Sequence, residues 1–363
     1  MNTTLLDPRT GGLRADLPTA VLHDHLDGGL RPATIIELAD AIGHPLPSAD
    51  ENELARWFVR GAEQGDLAAY LDTFRHTTAV MQTAEGLRRV AREAVLDLAA
   101  DGVVYAEVRY APEKHQERGL SLDEIMQAVQ DGLAEGMSEA RTPGGFPIVV
   151  NTIVCALRTE RRSLEIAELT ARWRRRDPRI VGFDLAGAET GWPAALHAAA
   201  LALIRAELVR LTVHASEEPD LLLISDALEH GAERIGHGVR LAHDMTDLSG
   251  PSPRLGRLAS YVRDRRICLE MAPTCHVQIG AVDSLERHPI GPMLRLGFNV
   301  TVNTDNRLMS GVKVSTEMAA VAQAHQLTAP ELHRLVRNAV ESGFGDHDER
   351  QHIMTTIVDP AWR

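Results

Sequence analysis

The sequence predicts an α/β fold: a (β/α)8 TIM barrel with a helical insertion after its first strand. Three observations lead there. Eight short β-branched runs alternate with stretches of helical periodicity. Histidines and carboxylates fall at the ends of those runs, where a barrel builds its active site. The first run ends in His23-Asp24-His25, not in the Gly-x-Gly-x-x-Gly turn that announces an open doubly wound sheet.

The first strand is expected at 20–25. The segment 26–84 then reads as an insertion over the barrel mouth, with helices near 34–42 and 52–60. Residues 85–100 place Leu87, Val90, Ala91, Ala94, Val95 and Leu98 on one helical face, and Gly102 follows as a stop. Strands are then expected at 103–109, 148–154, 180–185, 209–214, 234–237, 267–271 and 298–303. The intervening helices are expected at 122–139, 162–175, 193–207, 220–230, 255–264 and 289–296, with Gly297 closing the last. No composition shift marks a boundary, so 1–363 is read as a single domain.

The chain has 363 residues, 44% hydrophobic and 25% charged, which are ordinary globular values. No apolar run is long enough to span a bilayer. Residues 1–18 are polar and lack the apolar core and cleavage site of a secretory signal. Cys155, Cys268 and Cys275 are too scattered for a disulfide framework, and a reducing cytoplasm fits them. The net charge of −13 disfavours nucleic acid and anionic membranes as partners. The basic run from Arg172 to Arg176 falls late in an expected helix, where cations suit the dipole. A small neutral substrate is compatible with this balance.

The chemistry lies at the strand ends. His23 and His25 are two apart on one strand, so both face the same side and can reach one ion. His214 ends the fifth strand in Thr212-Val213-His214-Ala215-Ser216-Glu217. His237 ends the sixth in Gly236-His237-Gly238, and Asp305 follows the eighth in Asn303-Thr304-Asp305-Asn306. Each has an ordinary alternative: a satisfied core histidine, a helix N-cap, or for Glu217 a solvated loop charge. Their convergence on one rim points instead to a site. Imidazoles and a carboxylate suit zinc and leave a position for water, whose pKa the ion lowers to roughly 7. Glu217 is placed to act as acid or base, and His237 to position or deprotonate the water.

These residues resemble the adenosine deaminase family over almost the whole chain. His23-Asp24-His25-Leu26-Asp27-Gly28 is similar to the family's opening His-x-His-Leu-Asp-Gly. Phe183-Asp184-Leu185-Ala186-Gly187, His214-Ala215-Ser216-Glu217, Arg234-Ile235-Gly236-His237-Gly238 and Asn303-Thr304-Asp305 match its later segments in order. The resemblance implies one Zn2+ held by His23, His25, His214 and Asp305. It implies that Glu217 protonates purine N1, and that His237 and Asp305 orient and deprotonate the water that attacks C6. The Gly187 N–H would bind purine N3, Asp27 the ribose 5′-hydroxyl and Asn306 purine N7, with His25 also at the substrate. The implied reaction is hydrolytic deamination of adenosine or 2′-deoxyadenosine.

The chain departs from the family pattern at four places. Ser216 stands where a glycine is usual, Asn306 where many members have a second aspartate, and Ala188 where an acidic residue is common. Ala272-Pro273-Thr274-Cys275-His276 replaces the usual Cys-Pro-x-Ser-Asn. All four bear on substrate choice, so a 5′-substituted or pathway-specific adenosine is the alternative substrate. A non-catalytic nucleoside-binding barrel is disfavoured, because binding alone needs no proton donor at Glu217. Amidohydrolases that carry a carboxylated lysine on the fourth strand are disfavoured because 183–187 contains no lysine. The other zinc deaminase plan needs a Pro-Cys-x-x-Cys that is absent, so Cys275 is read as a packing or lining residue.

Overall fold

Eight parallel strands form one sheet in chain order: β1 (Thr19–His25), β2 (Val103–Tyr110), β3 (Val149–Leu157), β4 (Ile180–Ala186), β5 (Arg210–Ala215), β6 (Arg234–His237), β7 (Cys268–Met271) and β8 (Val300–Val302). The computed structural model describes residues 5–65 and 67–363. β2, β3 and β4 are buried along nearly their whole length, as strands of a parallel sheet covered on both faces are. All eight expected strands are present, each within three residues of its expected ends.

Closure between β8 and β1 relies on a side chain. Asn303 Oδ1 accepts the backbone N–H groups of Leu22 and His23 at 2.9 and 3.1 Å. Just beyond, the His25 N–H donates to the Asp305 carbonyl at 2.7 Å, and the Asp305 N–H to the His23 carbonyl at 2.9 Å. This exchange pins Asp305 against the two histidines of β1.

The helix Leu122–Glu139 has the expected bounds, and a reciprocal Ser121–Glu124 capping box starts it. It packs closely on Ala84–Ala100. A Cβ at Gly132 would lie 2.1 Å from the Arg88 carbonyl oxygen, so glycine is required there. In the segment after β1, a 3-10 turn (Leu26–Gly28) leads into helices Pro32–Ile42, Glu51–Ala62, Leu67–Asp72 and Phe74–Val80. Tyr70, Phe74 and Thr78 from these helices line a cavity at the barrel mouth.

Three local expectations are corrected. The helix expected at 193–207 divides into a 3-10 turn, Ala194–His197, and a helix, Ala198–Ala206. His197 makes the break because its ring bonds Ser163 Oγ at 2.8 Å and the Arg158 carbonyl at 3.0 Å. The stretch 272–276, read as a loop, enters a short helix, Pro273–Gln278, with proline in its first turn. After 306 the chain continues through Arg307–Ser310, Val314–His325, Ala329–Ser342 and His347–Ile353, for which no helices were expected. No helix among the described residues is long and apolar enough to cross a membrane.

Candidate active site

The C-terminal rim of the barrel gathers the residues singled out from the sequence. A ligand atom from each of His23, His214, His237 and Asp305 lies within 4.8 Å of the other three. Asp305 Oδ1 is 3.3 Å from His23 Nε2 and 3.4 Å from His25 Nε2. His25 Nε2 is 3.2 Å from His214 Nε2. His25, His214, His237 and Asp305 border a cavity of about 270 Å³ that also exposes Asp27, Gly187, Glu217 and Asn306, and His23 lies behind Asp305. Every expected site residue therefore lies in or directly against this one cavity.

Carboxylates behind the histidines set their tautomers. His23 Nδ1 faces Glu270 Oε2 at 2.9 Å, and His214 Nδ1 faces Asp184 Oδ2 at 3.0 Å. An ionised carboxylate only accepts, so both Nδ1 atoms carry the proton and both Nε2 lone pairs point into the cluster. His23 Nε2 is buried and, among the described residues, makes no hydrogen bond, with Asp305 Oδ1 its neighbour at 3.3 Å. Nitrogen lone pairs and a carboxylate oxygen held this close repel one another unless a cation lies among them. The donor set is nitrogen and oxygen, which suits a borderline divalent ion.

Arg109 links the two supporting carboxylates. Its guanidinium donates to Asp184 Oδ2 at 2.8 Å and to Glu270 Oε2 at 2.7 Å, and all three side chains are fully buried. Arg234 adds a second contact, Nε to Glu270 Oε1 at 2.6 Å. Burial alone would raise the Asp184 carboxyl, but His214 and Arg109 hold it well below the usual carboxylate range. Burial, reinforced by the Arg109 charge, keeps His23 neutral.

Glu217 has the opposite environment. It is buried, and burial together with the negative charges of Asp305 and Glu189 pushes its carboxyl well above its ordinary value. A carboxyl so placed stays protonated and can donate. Its Oε2 is 3.5 Å from His237 Nε2. The Cys275 thiol, which burial also keeps protonated, lies 3.8 Å from Glu217 Oε1. Cys275 is buried and packs against Glu217 behind the cavity wall.

The turn carrying Glu217 is shaped by a residue the sequence reading missed. Glu189 accepts the backbone N–H groups of Ser216, Glu217 and Glu218 at 3.0, 3.3 and 3.2 Å. Ser216 takes the left-handed conformation, φ +65°, that the family's glycine would favour. Gly187, at φ +96°, turns its backbone to the same cavity. Arg109, Asp184, Glu189 and Glu270 were given no role from the sequence. The available signal was a charged residue inside an apolar strand, as in Val108-Arg109-Tyr110 and Leu269-Glu270-Met271.

A parallel barrel whose rim carries buried histidines backed by carboxylates, beside a protonated acid, defines a metal-dependent hydrolase. The chain belongs to the adenosine deaminase family, whose model matches residues 18–360, and it is a hydrolytic deaminase. It is 48% identical over 347 residues to adenosine deaminase 1 of Streptomyces coelicolor, covering 95% of this chain and 87% of that protein. It is 48% identical over 347 residues to adenosine deaminase of Mycobacteroides abscessus, covering 95% of each. Among solved structures, adenine deaminase from Arthrobacter aurescens superimposes with a TM-score of 0.82 at 28% identity, covering 95% of this chain and 98% of that one. An amidohydrolase of Burkholderia ambifaria, solved with bound zinc, shares the fold with a TM-score of 0.80 at 22% identity, covering 96% and 91%.

Proposed function

We propose that this protein hydrolyses adenosine and 2′-deoxyadenosine to inosine and 2′-deoxyinosine, releasing ammonia, with one Zn2+ held by His23, His25, His214 and Asp305. One arrangement carries the reading: the buried acid Glu217 shares a cavity with the imidazoles of His25, His214 and His237 and the carboxylate of Asp305, and burial favours its protonated form. A divalent ion bound there supplies Lewis-acid activation of water. The curated relatives named adenosine deaminase support the substrate.

The protein's own groups divide the remaining work. Glu217 donates its proton to purine N1, which makes C6 electrophilic. His237 and Asp305 orient and deprotonate the water that attacks C6. The amino group then takes up the proton held by Asp305 and leaves as ammonia when the C6–N bond breaks, the C6 hydroxyl proton returns to Glu217, and a 6-oxopurine remains. Gly187 offers its N–H to purine N3, and Asn306 can donate to N7. Asp27 is buried at the cavity wall, with Oδ1 lacking a partner among the described residues, and burial raises its carboxyl to about 7. It is therefore ready to bond an uncharged ribose 5′-hydroxyl, and as a carboxylate it would repel a phosphate. His25 borders both the ion and the substrate.

The test is turnover of adenosine, 2′-deoxyadenosine, a 5′-substituted adenosine and free adenine by zinc-loaded protein. Faster turnover of the two plain nucleosides supports the reading. Preference for adenine would remove the role given to Asp27, and preference for the 5′-substituted nucleoside would identify the alternative substrate.

A further inference from the structure

The stretch that departs from the family pattern after β7 contributes His276, the middle member of a chain of three buried imidazoles. His237 Nδ1 is 3.0 Å from His276 Nε2, and His276 Nδ1 is 2.8 Å from His288 Nε2. The Ile290 backbone N–H donates to His288 Nδ1 at 3.2 Å. The His276 and His288 ring planes are parallel to within 3°, with centroids 5.2 Å apart, while the His237 and His276 planes are tilted by 60°. All three side chains are at most 1% exposed.

The direction of every bond in this chain follows from its far end. A backbone N–H can only donate, so His288 Nδ1 must accept. A neutral imidazole then carries its proton on Nε2, which donates to His276 Nδ1. His276 is in turn protonated on Nε2 and donates to His237 Nδ1. His237 is left with its proton on Nε2, the atom that faces Glu217 and the cavity. The reverse order would set a His288 Nδ1–H against the Ile290 N–H, two donors with no acceptor. Burial favours the neutral state that this logic needs: it lowers His276 to about 3 and His288 well below its ordinary value. Neither ring is hydrogen-bonded to a carboxylate among the described residues.

We infer that His276 and His288 are positioning residues that lock His237 as the Nε2–H tautomer, so that His237 donates to the attacking oxygen and does not remove its proton. The inference rests on the reaction proposed above and divides its labour. His237 holds the oxygen through an N–H bond that strengthens as negative charge develops, and the proton from water passes to Asp305, the remaining acceptor at the site. The chain ends at a backbone amide and has no outlet to solvent, so it fixes a tautomer and does not conduct protons.

The experiment is two-bond 1H–15N correlation of histidine-labelled protein, metal-free and zinc-loaded, with resonances assigned by His276→Asn, His276→Leu and His288→Gln. The expected spectrum shows His237, His276 and His288 all protonated on Nε2. A His237 protonated on Nδ1 in the wild-type protein would overturn the lock. Asparagine can donate to His237 Nδ1 and accept from His288, so His276→Asn should keep the His237 tautomer and keep kcat within about 3-fold. Leucine cannot donate, so His276→Leu should shift the tautomer and lower kcat roughly 10–100-fold, with KM and zinc content little changed. Full activity in His276→Leu would also overturn the inference. If His276→Leu does not fold, the wild-type spectrum and His276→Asn still decide. If the wild-type enzyme fails to deaminate adenosine, the substrate reading falls while the tautomer assignment stands or falls on the spectrum alone.

Discussion

Glu189 accepts the backbone N–H of Ser216 at 3.0 Å and so holds the turn that aims Glu217 into the cavity. The turn needs a residue at φ +65°, and this chain supplies a serine. Ser216 Oγ is buried without a hydrogen-bond partner among the described residues, so the hydroxyl contributes no compensating bond there. A non-glycine residue in this region costs about 1–2 kcal/mol, while glycine costs about 0.5–1 kcal/mol in unfolded-chain entropy. Ser216→Gly is expected to raise stability by about 0.5–1 kcal/mol, measured by denaturant titration, with turnover retained. A loss of stability would mean that Ser216 relieves its strain through an interaction outside this account.

Glu217→Gln removes the proton donor and keeps the shape. kcat is expected to fall roughly 10²–10⁴-fold with KM changed little, as read from steady-state rates on adenosine. A variant that kept full turnover would remove Glu217 from the chemistry.

Arg109→Met leaves Asp184 and Glu270 buried without their shared counter-charge. The expected cost is about 3–5 kcal/mol of stability, larger than for a surface arginine, because the carboxylates cannot reach water. Zinc content should fall as well, since both carboxylates orient ligand histidines. Thermal unfolding with metal analysis checks both effects.

Glu317 gives a pH signature away from the reacting groups. It is buried and accepts the Thr274 N–H at 2.7 Å and the Thr274 hydroxyl at 2.5 Å. Burial pushes its carboxyl up to about 7 from 4.5 in spite of these bonds. The folded state then binds more protons than the unfolded chain between those values, so stability falls as pH rises through that window. Glu317→Gln has no proton to lose. Relative to wild type, its unfolding free energy should gain about 3 kcal/mol between about pH 4.5 and pH 8. Parallel stability curves for the two proteins would contradict this.

The strands were legible because they are short apolar, β-branched-rich runs, several of them meeting a polar residue at their end, as in Val213-His214 and Val302-Asn303. The site was legible for the same reason, since strand ends in a barrel converge without regard to sequence distance. Arg109 and Glu270 were not: 161 residues separate them, and a charge within an apolar strand has no visible partner until the barrel closes. His276 and His288 were also hidden as a pair. Their contact depends on the turn that Pro273–Gln278 makes after β7, and the sequence there reads as loop. The helices after Asp305 were not expected, although Thr328 and Glu331 form a capping box of ordinary spacing.

The most direct test follows the ultraviolet change as purified protein acts on adenosine, before chelation, after it, and after zinc is restored. The account predicts turnover that disappears with the metal and returns with zinc. Undiminished turnover in metal-free protein, or none on any 6-aminopurine nucleoside from fully zinc-loaded protein, would contradict it.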